Sequence, residues 1–478
     1  MLDALQTLDG LDEAALLCAS EDDIARYITD WTGMFESQAE AVLRPSSTAE
    51  VSAIMRWAHE HKVPVVPMGG NTGLCGGATT SGMDKAIILS LERMKQIRHF
   101  DAAAMTMEVE AGCILEELHK QAEEADLFFP LYFGARGNCM IGGNLSTNAG
   151  GSNVLRYGNT RDLCLGLEVV LPDGRILNLL SGLRKNNTGY DLKNLFIGAE
   201  GTLGIITAAS LKMVPMPKAR ATAFLALNSI SDALAVLNRM QRATGGAVEA
   251  FELMPDILMR QYAEKLPLLK QPFENPPRFS VLMEIATPEE ARAAIGSDGK
   301  SVITAELENL LGAALEEGQI FDAVVAQNEQ QRYDMWHLRE SAALVMIIPQ
   351  GVTLDVALPL SGIEAFLEDC ITKLEPIVPG VRLSPLSHLG DGNLHLNVLA
   401  ADDEAFPDEA LRAQIVHIVD DLVVAHKGSF SAEHGIGLAK KKEMSRLKDP
   451  VALAVMRAIK SVLDPHHIMN PGKVVPSA

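Results

Sequence analysis

The chain has 478 residues, with 41 Lys and Arg against 62 Asp and Glu, a formal net charge of −21. That length calls for two or three domains, and 47% hydrophobic against 22% charged residues excludes a disordered chain, a collagen-like chain and a long coiled coil. An acidic surface repels phosphate backbones and anionic lipid heads, so no nucleic-acid partner is expected.

In chain order, MLDALQTLDGLDEAALL opens with acids where a signal or transit peptide needs Lys or Arg. No uncharged apolar run approaches the ~18–20 residues that span a bilayer, so the chain is expected to lack a transmembrane segment and to be cytoplasmic. Six cysteines (18, 75, 113, 139, 164 and 370) without a CxxC pair make no disulfide framework. They read as small core or loop residues in a reducing compartment. The first 45 residues read as helical and acidic. Ala49 to His61 has helical apolar spacing behind a candidate N-cap in Ser46-Ser47-Thr48. Val63 to Pro67 is a predicted strand that empties into the glycine-rich Met68 to Gly77. Ala86 to Leu91 and Met105 to Gly112 are further strands, and Ile114 to Ala125 is an amphipathic helix. A second glycine loop is expected over Gly134 to Ser152. Leu165 to Leu171 and Ile176 to Leu179 form a hairpin around Asp173-Gly174, and Ile197 to Ile206 is a third glycine-rich stretch.

Val214-Pro215-Met216-Pro217 suits neither a helix nor an inner strand and marks a domain boundary. Beyond it, helical patterns (Ser231 to Thr244, Pro288 to Ile295, Ile303 to Glu317) alternate with strands such as Phe279 to Ile285, as in an α+β module. A final helix starts at Asp449-Pro450 and ends at Pro465.

Three glycine loops within the first ~205 residues favour a phosphate-bearing ligand, because glycine lets backbone N–H groups approach it closely. The G-x-G-x-x-G fingerprint is absent at the first strand–loop junction and so is G-x-x-x-x-G-K-[ST], which excludes a standard NAD fold and a P-loop ATPase. A second constellation is Ser384 to Val398. With Asp391-Gly392 as a two-residue turn, His388 opposes His395 and Asn397 shares their face. Two imidazoles so placed are candidate metal ligands, and Glu433 of Ser431-Ala432-Glu433-His434-Gly435-Ile436-Gly437 would complete a His₂Glu set with an open fourth position. His434 would then stand beside it as a general base. Arg339, in Trp336-His337-Leu338-Arg339-Glu340, is either a helix-surface charge or a clamp for a carboxylate.

PMGGNTGLCGGA, IGGNLSTNAGG, RYGNTRDLCLGLEVVLPDGRIL, RKNNTGYDLKNLFIGAEGTLGIIT, HLGDGNLHLNV, EHGIG and NPGK resemble, in that order, the FAD-linked D-2-hydroxyacid dehydrogenases of the vanillyl-alcohol-oxidase-type flavoprotein superfamily. The D-2-hydroxyglutarate dehydrogenase branch is nearest, with D-lactate dehydrogenase and the glycolate oxidase flavin subunit as neighbours. The likeness runs from about Leu43 to Val475 and implies an α+β fold. An FAD-binding domain of two subdomains (1–217) would be followed by a cap of antiparallel sheet covered by helices (218–430) and a C-terminal segment returning to the flavin (431–478).

By the same resemblance, non-covalent FAD is held by Pro67, Gly69, Gly70, Asn71, Thr72, Gly73, Leu74, Gly76 and Gly77. Gly142, Gly143, Asn144, Thr147, Asn148, Gly150 and Gly151 lie along it, and Glu200, Gly201, Thr202, Gly204, Ile205 and Asn470 complete the site. A divalent metal, zinc or manganese, falls to His388, His395 and Glu433. The base is His434, the substrate amide Asn397 and the carboxylate clamp Arg339. The implied reaction oxidises a small 2-hydroxy acid and passes electrons to an acceptor such as an electron-transfer flavoprotein or a quinone, and a homodimer is compatible with the resemblance. The alternatives left by the residues themselves are a metal-dependent hydrolase and a non-catalytic flavin-binding protein. One departure concerns specificity. The hydroxyglutarate branch has Lys two residues before the Asp of its D-[LV]-[SA]-x-P element, where this chain has Thr353, and the polar position four after the clamp arginine is Ala343.

Overall fold

A computed structural model of the protein describes residues 15–17, 21–83, 85–297, 299–342, 351–401, 406 and 408–477. The chain divides into two compact units, one of Met1–Gly150, Asn159–Pro215 and His434–Ala478, the other of Gly151–Gly158 and Met216–Glu433.

The first unit contains a four-stranded sheet in the order Leu16–Leu17, Ala41–Leu43, Ile87–Ser90, Val65–Met68. The last three strands pair in parallel and are almost wholly buried, as strands covered on both faces must be. Helix Thr48–His61 starts where the Ser47 hydroxyl accepts the Glu50 N–H and stops at Lys62, whose φ of 55° turns the chain out of the helix. A five-stranded antiparallel sheet follows in the order Ile97–Asp101, Thr106–Glu110, Ile205–Lys212, Cys164–Val170, Ile176–Asn178. The Asp173-Gly174 turn closes its last hairpin as expected, with Leu171 N–H bonded to Arg175 at 2.9 Å.

Two expectations for this unit are corrected. The first 45 residues are not uniformly helical. Among those described, only Glu21–Ile28 is a helix, and Ala41–Leu43 is a strand, because this short apolar run gains more as an inner strand than as part of an acidic helix. Nor is Gly134 to Ser152 a loop throughout. It holds a 3₁₀ turn at Gly134–Gly137 and a helix at Ile141–Thr147, in which Gly142 is required because a Cβ there would lie 2.6 Å from that of Ala111.

The second unit is built on a seven-stranded antiparallel sheet, in the order Asp322–Val325, Ala219–Leu227, Phe279–Thr287, Val248–Pro255, Arg382–His388, Asn393–Leu399, Val352–Ala357. Helices Ile230–Thr244, Val302–Glu316, Ile363–Leu374 and Glu409–Ala425 cover one face with a large apolar cluster. Asp256–Lys265 and Glu329–Glu340 cover part of the other through Leu258, Met259, Tyr262, Met335 and Leu338. Each fully buried side chain of this size contributes about 1.5–3 kcal/mol. The apolar clusters therefore stabilise the sheet while the rest of the second face carries polar groups.

The 384–398 hairpin is offset by two residues from the expected register. His388 faces Asn393, and His395 faces Leu386. Asp391 N–H bonds to the His388 carbonyl at 3.2 Å, and the Asp391 side chain accepts the Asn393 N–H at 3.1 Å. Gly392 follows with φ +84°, where a Cβ would lie 2.3 Å from the Leu358 oxygen. Asp-Gly thus ends a four-residue loop, Leu389 to Gly392, instead of forming a two-residue turn. Strand side chains alternate with period two, so an even offset keeps His388, His395 and Asn397 on one face.

Candidate active site

Within the second unit, the hairpin face gathers three of the expected ligands. One ligand atom from each of His388, His395 and Glu433 lies within 4.8 Å of the others. Both imidazoles back onto a carboxylate. His388 Nδ1 is 2.9 Å from Glu252 Oε1, and His395 Nδ1 is 3.7 Å from Asp355 Oδ1, while His395 Nε2 lies 3.9 Å from Glu433 Oε2. The His388 contact fixes the tautomer that leaves Nε2 as the ligating atom. Asp355 also accepts the backbone N–H of Glu433 at 2.9 Å and Nδ2 of Asn393 at 2.8 Å. It thereby ties the Glu433 segment to the sheet.

Burial works against a charged His388, but the Glu252 carboxylate and its hydrogen bond, with Glu433 beyond, push this imidazole up to about 9. Burial, with the Asp355, Asp391 and Glu252 carboxylates, raises Glu433 to about 7 against the pull of His388. Such a concentration of acids and imidazoles suits a divalent cation.

Arg339 comes from helix Glu329–Glu340, whose Asn328 side chain caps it by accepting the Gln331 N–H. Arg332, Trp336 and Arg339 recur at helical spacing, so all three turn to the sheet. Arg332 and Trp336 are taken up by Glu284 through bonds of 2.7, 2.9 and 2.8 Å. Arg339 gives only its Nε and Nη2 edge to Glu252, at 2.8 and 2.7 Å, and its Nη1 has no protein partner among the described residues. Asn397 shares the face of His395, and the Thr353 hydroxyl donates to its Oδ1. Ala343 lies outside the described residues.

In the first unit the expected cofactor residues converge. Gly69 lies against Gly143, Gly70 against Asn138 and Cys139, and Gly201 against Pro67. Thr147 and Asn148 end the Ile141–Thr147 helix, Asn148 with φ +52°. Gly150 ends one stretch of this unit, and Gly151 opens the short stretch counted with the other. Thr202 and Gly204 precede the Ile205–Lys212 strand in one tight segment. Asn470 Nδ2 donates to the carbonyls of Gly77 and Glu200 at 2.9 and 2.8 Å, and Lys473 donates to Asn470 Oδ1 at 2.7 Å. No backbone N–H from Gly70 to Leu74 finds an acceptor among the described residues, and the buried Asn144 Oδ1 is without a hydrogen bond. A row of unmatched donors beside glycines fits a pyrophosphate.

Glu200 also holds the segment that follows His434. It is buried and accepts the N–H groups of Ile436 and Gly437, each at 2.8 Å. Gly435 and Gly437 have φ of +76° and +48°, and a Cβ on them would meet the Glu200 carboxylate at 2.7 Å and the Cys75 oxygen at 2.0 Å. This explains the two glycines that follow His434, which is itself half-buried.

Glu252 and Asp355 were not picked out from sequence. The signal for Glu252 is a charge inside VEAFELMP, a run buried at every position, where an unpaired carboxylate would be prohibitive. Asp355 is the Asp of the element used above only to locate Thr353.

The "FAD binding domain" family model matches residues 39–180, and "FAD linked oxidases, C-terminal domain" matches 216–474. The chain is 39% identical to the mitochondrial D-2-hydroxyglutarate dehydrogenase of Rattus norvegicus over 94% of its length and 80% of the relative's. It is 37% identical to the D-2-hydroxyglutarate dehydrogenase of Xanthomonas citri pv. viticola, over 95% and 92%. Solved structures of alkyldihydroxyacetonephosphate synthase and p-cresol methylhydroxylase share the fold. Their TM-scores are 0.72 and 0.71 at 17% and 14% identity, covering 98% and 99% of this chain and 85% and 96% of theirs.

Proposed function

The chain belongs to the FAD-linked D-2-hydroxyacid dehydrogenases of the vanillyl-alcohol-oxidase-type flavoproteins, and we propose that it oxidises a D-2-hydroxy acid of the hydroxyglutarate or lactate kind to the 2-oxo acid with the help of a divalent metal. The observation that carries this reading is the His388, His395 and Glu433 set, with ligand atoms within 4.8 Å of one another, on the face that also holds Asn397. Zinc or manganese would be held there. A metal there would supply Lewis acidity to a coordinated substrate hydroxyl, and bound FAD would supply the hydride-accepting chemistry.

The remaining work falls to side chains. Arg339 presents its outer Nη1 and Nη2 edge to the substrate carboxylate, since Glu252 occupies the inner one. Thr353 holds Oδ1 of Asn397 and so leaves the amide NH₂ for a substrate oxygen. His434 removes the hydroxyl proton. In the first unit, the Gly70 to Leu74 N–H groups would hold the FAD pyrophosphate, and an electron-transfer flavoprotein or a quinone would serve as electron acceptor. Anaerobic mixing with a panel of D- and L-2-hydroxy acids tests the reading. Bleaching of the ~450 nm flavin band by D-acids is expected, and a colourless protein or a band that no hydroxy acid bleaches would sink it.

The flavin is expected to come off on acid or heat denaturation. Cys139 is 1% exposed, and its burial pushes the thiol up to about 11, so it offers no thiolate for a covalent link. Colour remaining with the precipitate would overturn this.

Specificity turns on Thr353. A buried Lys gripping a distal carboxylate would be worth about 1.5–3 kcal/mol, roughly tenfold to a hundredfold in affinity. The wild type is therefore expected to prefer D-2-hydroxyglutarate over D-lactate by less than about a thousandfold in kcat/KM, and Thr353→Lys to widen the ratio. A larger wild-type preference would mean that another cation holds the second carboxylate.

A further inference from the structure

Resting on the metal and clamp assignments above, we propose that Glu252 is the positioning residue that fixes the distance between the metal set and the carboxylate clamp. It sits on strand Val248–Pro255, directly opposite His388 in the sheet register, and is 1% exposed. Its carboxylate meets His388 Nδ1 at 2.9 and 2.8 Å, and Oε2 accepts from Arg339 Nε and Nη2 at 2.8 and 2.7 Å.

Glu284 provides the contrast. It is a second buried acid on the same sheet face and answers to the same helix, but Arg332, Trp336, Thr222 and Arg220 close around it. Its two arginines turn as well to other protein carboxylates, Arg220 to Glu249 and Arg332 to Glu329. The partners of Glu252 each keep a donor or ligand atom facing elsewhere, Nε2 on His388 and Nη1 on Arg339. A 2-hydroxy acid sets its carboxylate and its hydroxyl on adjacent carbons, so clamp and metal must stand at one fixed separation. A single carboxylate in contact with both sets that separation, and holding Arg339 by its inner edge decides which edge meets the substrate.

Glu252→Gln is the informative change because it keeps shape and removes one acceptor. If the amide nitrogen faces His388, Nδ1 must accept and the proton moves to Nε2, which then cannot ligate. If it faces Arg339, two donors oppose each other. The purified protein reconstituted with zinc or manganese is assayed for metal affinity, FAD per chain, melting temperature and the separate kcat and KM for D-2-hydroxyglutarate and D-lactate. The expected result is metal affinity weaker by about 10–100-fold and a raised KM at saturating metal, with FAD content unchanged. Glu284→Gln should lower the melting temperature while leaving metal affinity and KM alone. Wild-type metal affinity and KM in Glu252→Gln, or the same changes in Glu284→Gln, would overturn the proposal. Should the Gln variant not fold, Glu252→Asp keeps the charge but falls one methylene short of its two partners, and the same two readouts decide. A wild type that binds neither metal would remove the metal assignment itself, and the KM arm would still decide whether Glu252 positions Arg339.

Discussion

Alanine in place of His388 or His395 is expected to leave a yellow protein that holds no metal and has lost on the order of a thousandfold in kcat/KM, since a Lewis acid at the reacting oxygen would be worth several kcal/mol. FAD stays because its expected contacts, the Gly70 to Leu74 N–H row, Asn144 and Asn470, belong to the first unit. The two variants should differ in stability. Losing His388 strips the buried Glu252 of one of its two partners, at a cost of about 1–3 kcal/mol, whereas losing His395 leaves Asp355 bonded to Asn393 and Glu433. Metal loading in the wild type should also depend on pH. His388, raised to about 9, and Glu433, raised to about 7, are protonated below those values, and a protonated ligand cannot coordinate. Affinity should therefore be tighter at pH 8 than at pH 6, with protons released on binding. Metal analysis, flavin absorbance and steady-state kinetics on the same samples check all of this. A metal-loaded alanine variant would refute the ligand set.

Removing the proposed base should give the other large effect. His434→Ala should lower the rate of anaerobic flavin reduction by about a hundredfold to ten-thousandfold while keeping both metal and FAD. The neighbouring Glu433 remains anchored through its own N–H to Asp355, and Ile436 and Gly437 remain bonded to Glu200. Stopped-flow reduction across a pH range is the measurement. With the imidazole gone the rate should climb with hydroxide instead of levelling off. Loss of either bound group in this variant would make His434 a structural residue.

What could be read from the sequence depended on how local the determining interaction was. Helix Thr48–His61 and its Ser47 cap, the Asp173-Gly174 hairpin and helix Pro450–Leu463 are set by side chains a few residues apart, so their patterns were legible. The hairpin that carries the two histidines was legible in which side chains share a face but not in register, because Gly392 must approach Leu358, just past the end of strand Val352–Ala357, and that contact chooses a four-residue loop. Ile141–Thr147 looked like loop for a related reason. Two glycines argue against a helix until Ala111 is seen to exclude any side chain at Gly142. Glu252 and Asp355 were missed because their meaning lies in partners more than 30 positions away, which no spacing rule reaches.

The Gly435 and Gly437 contacts bear on the order in which the protein can be built. The first unit needs Cys75 and Glu200 to meet the segment around Ile436, and Gly77 to meet Asn470, yet all of Met216–Glu433 lies between them in the chain. A ribosome delivers residues in sequence, so the nucleotide-cradling loops wait, incomplete, while the whole of the other unit emerges. The second unit lacks only Gly151–Gly158 from earlier in the chain, a stretch already made, and can close first. Cofactor uptake is then expected at the end of biosynthesis, and chains cut short before Asn470 would carry a finished second unit but a first unit whose cradle has no closing strap.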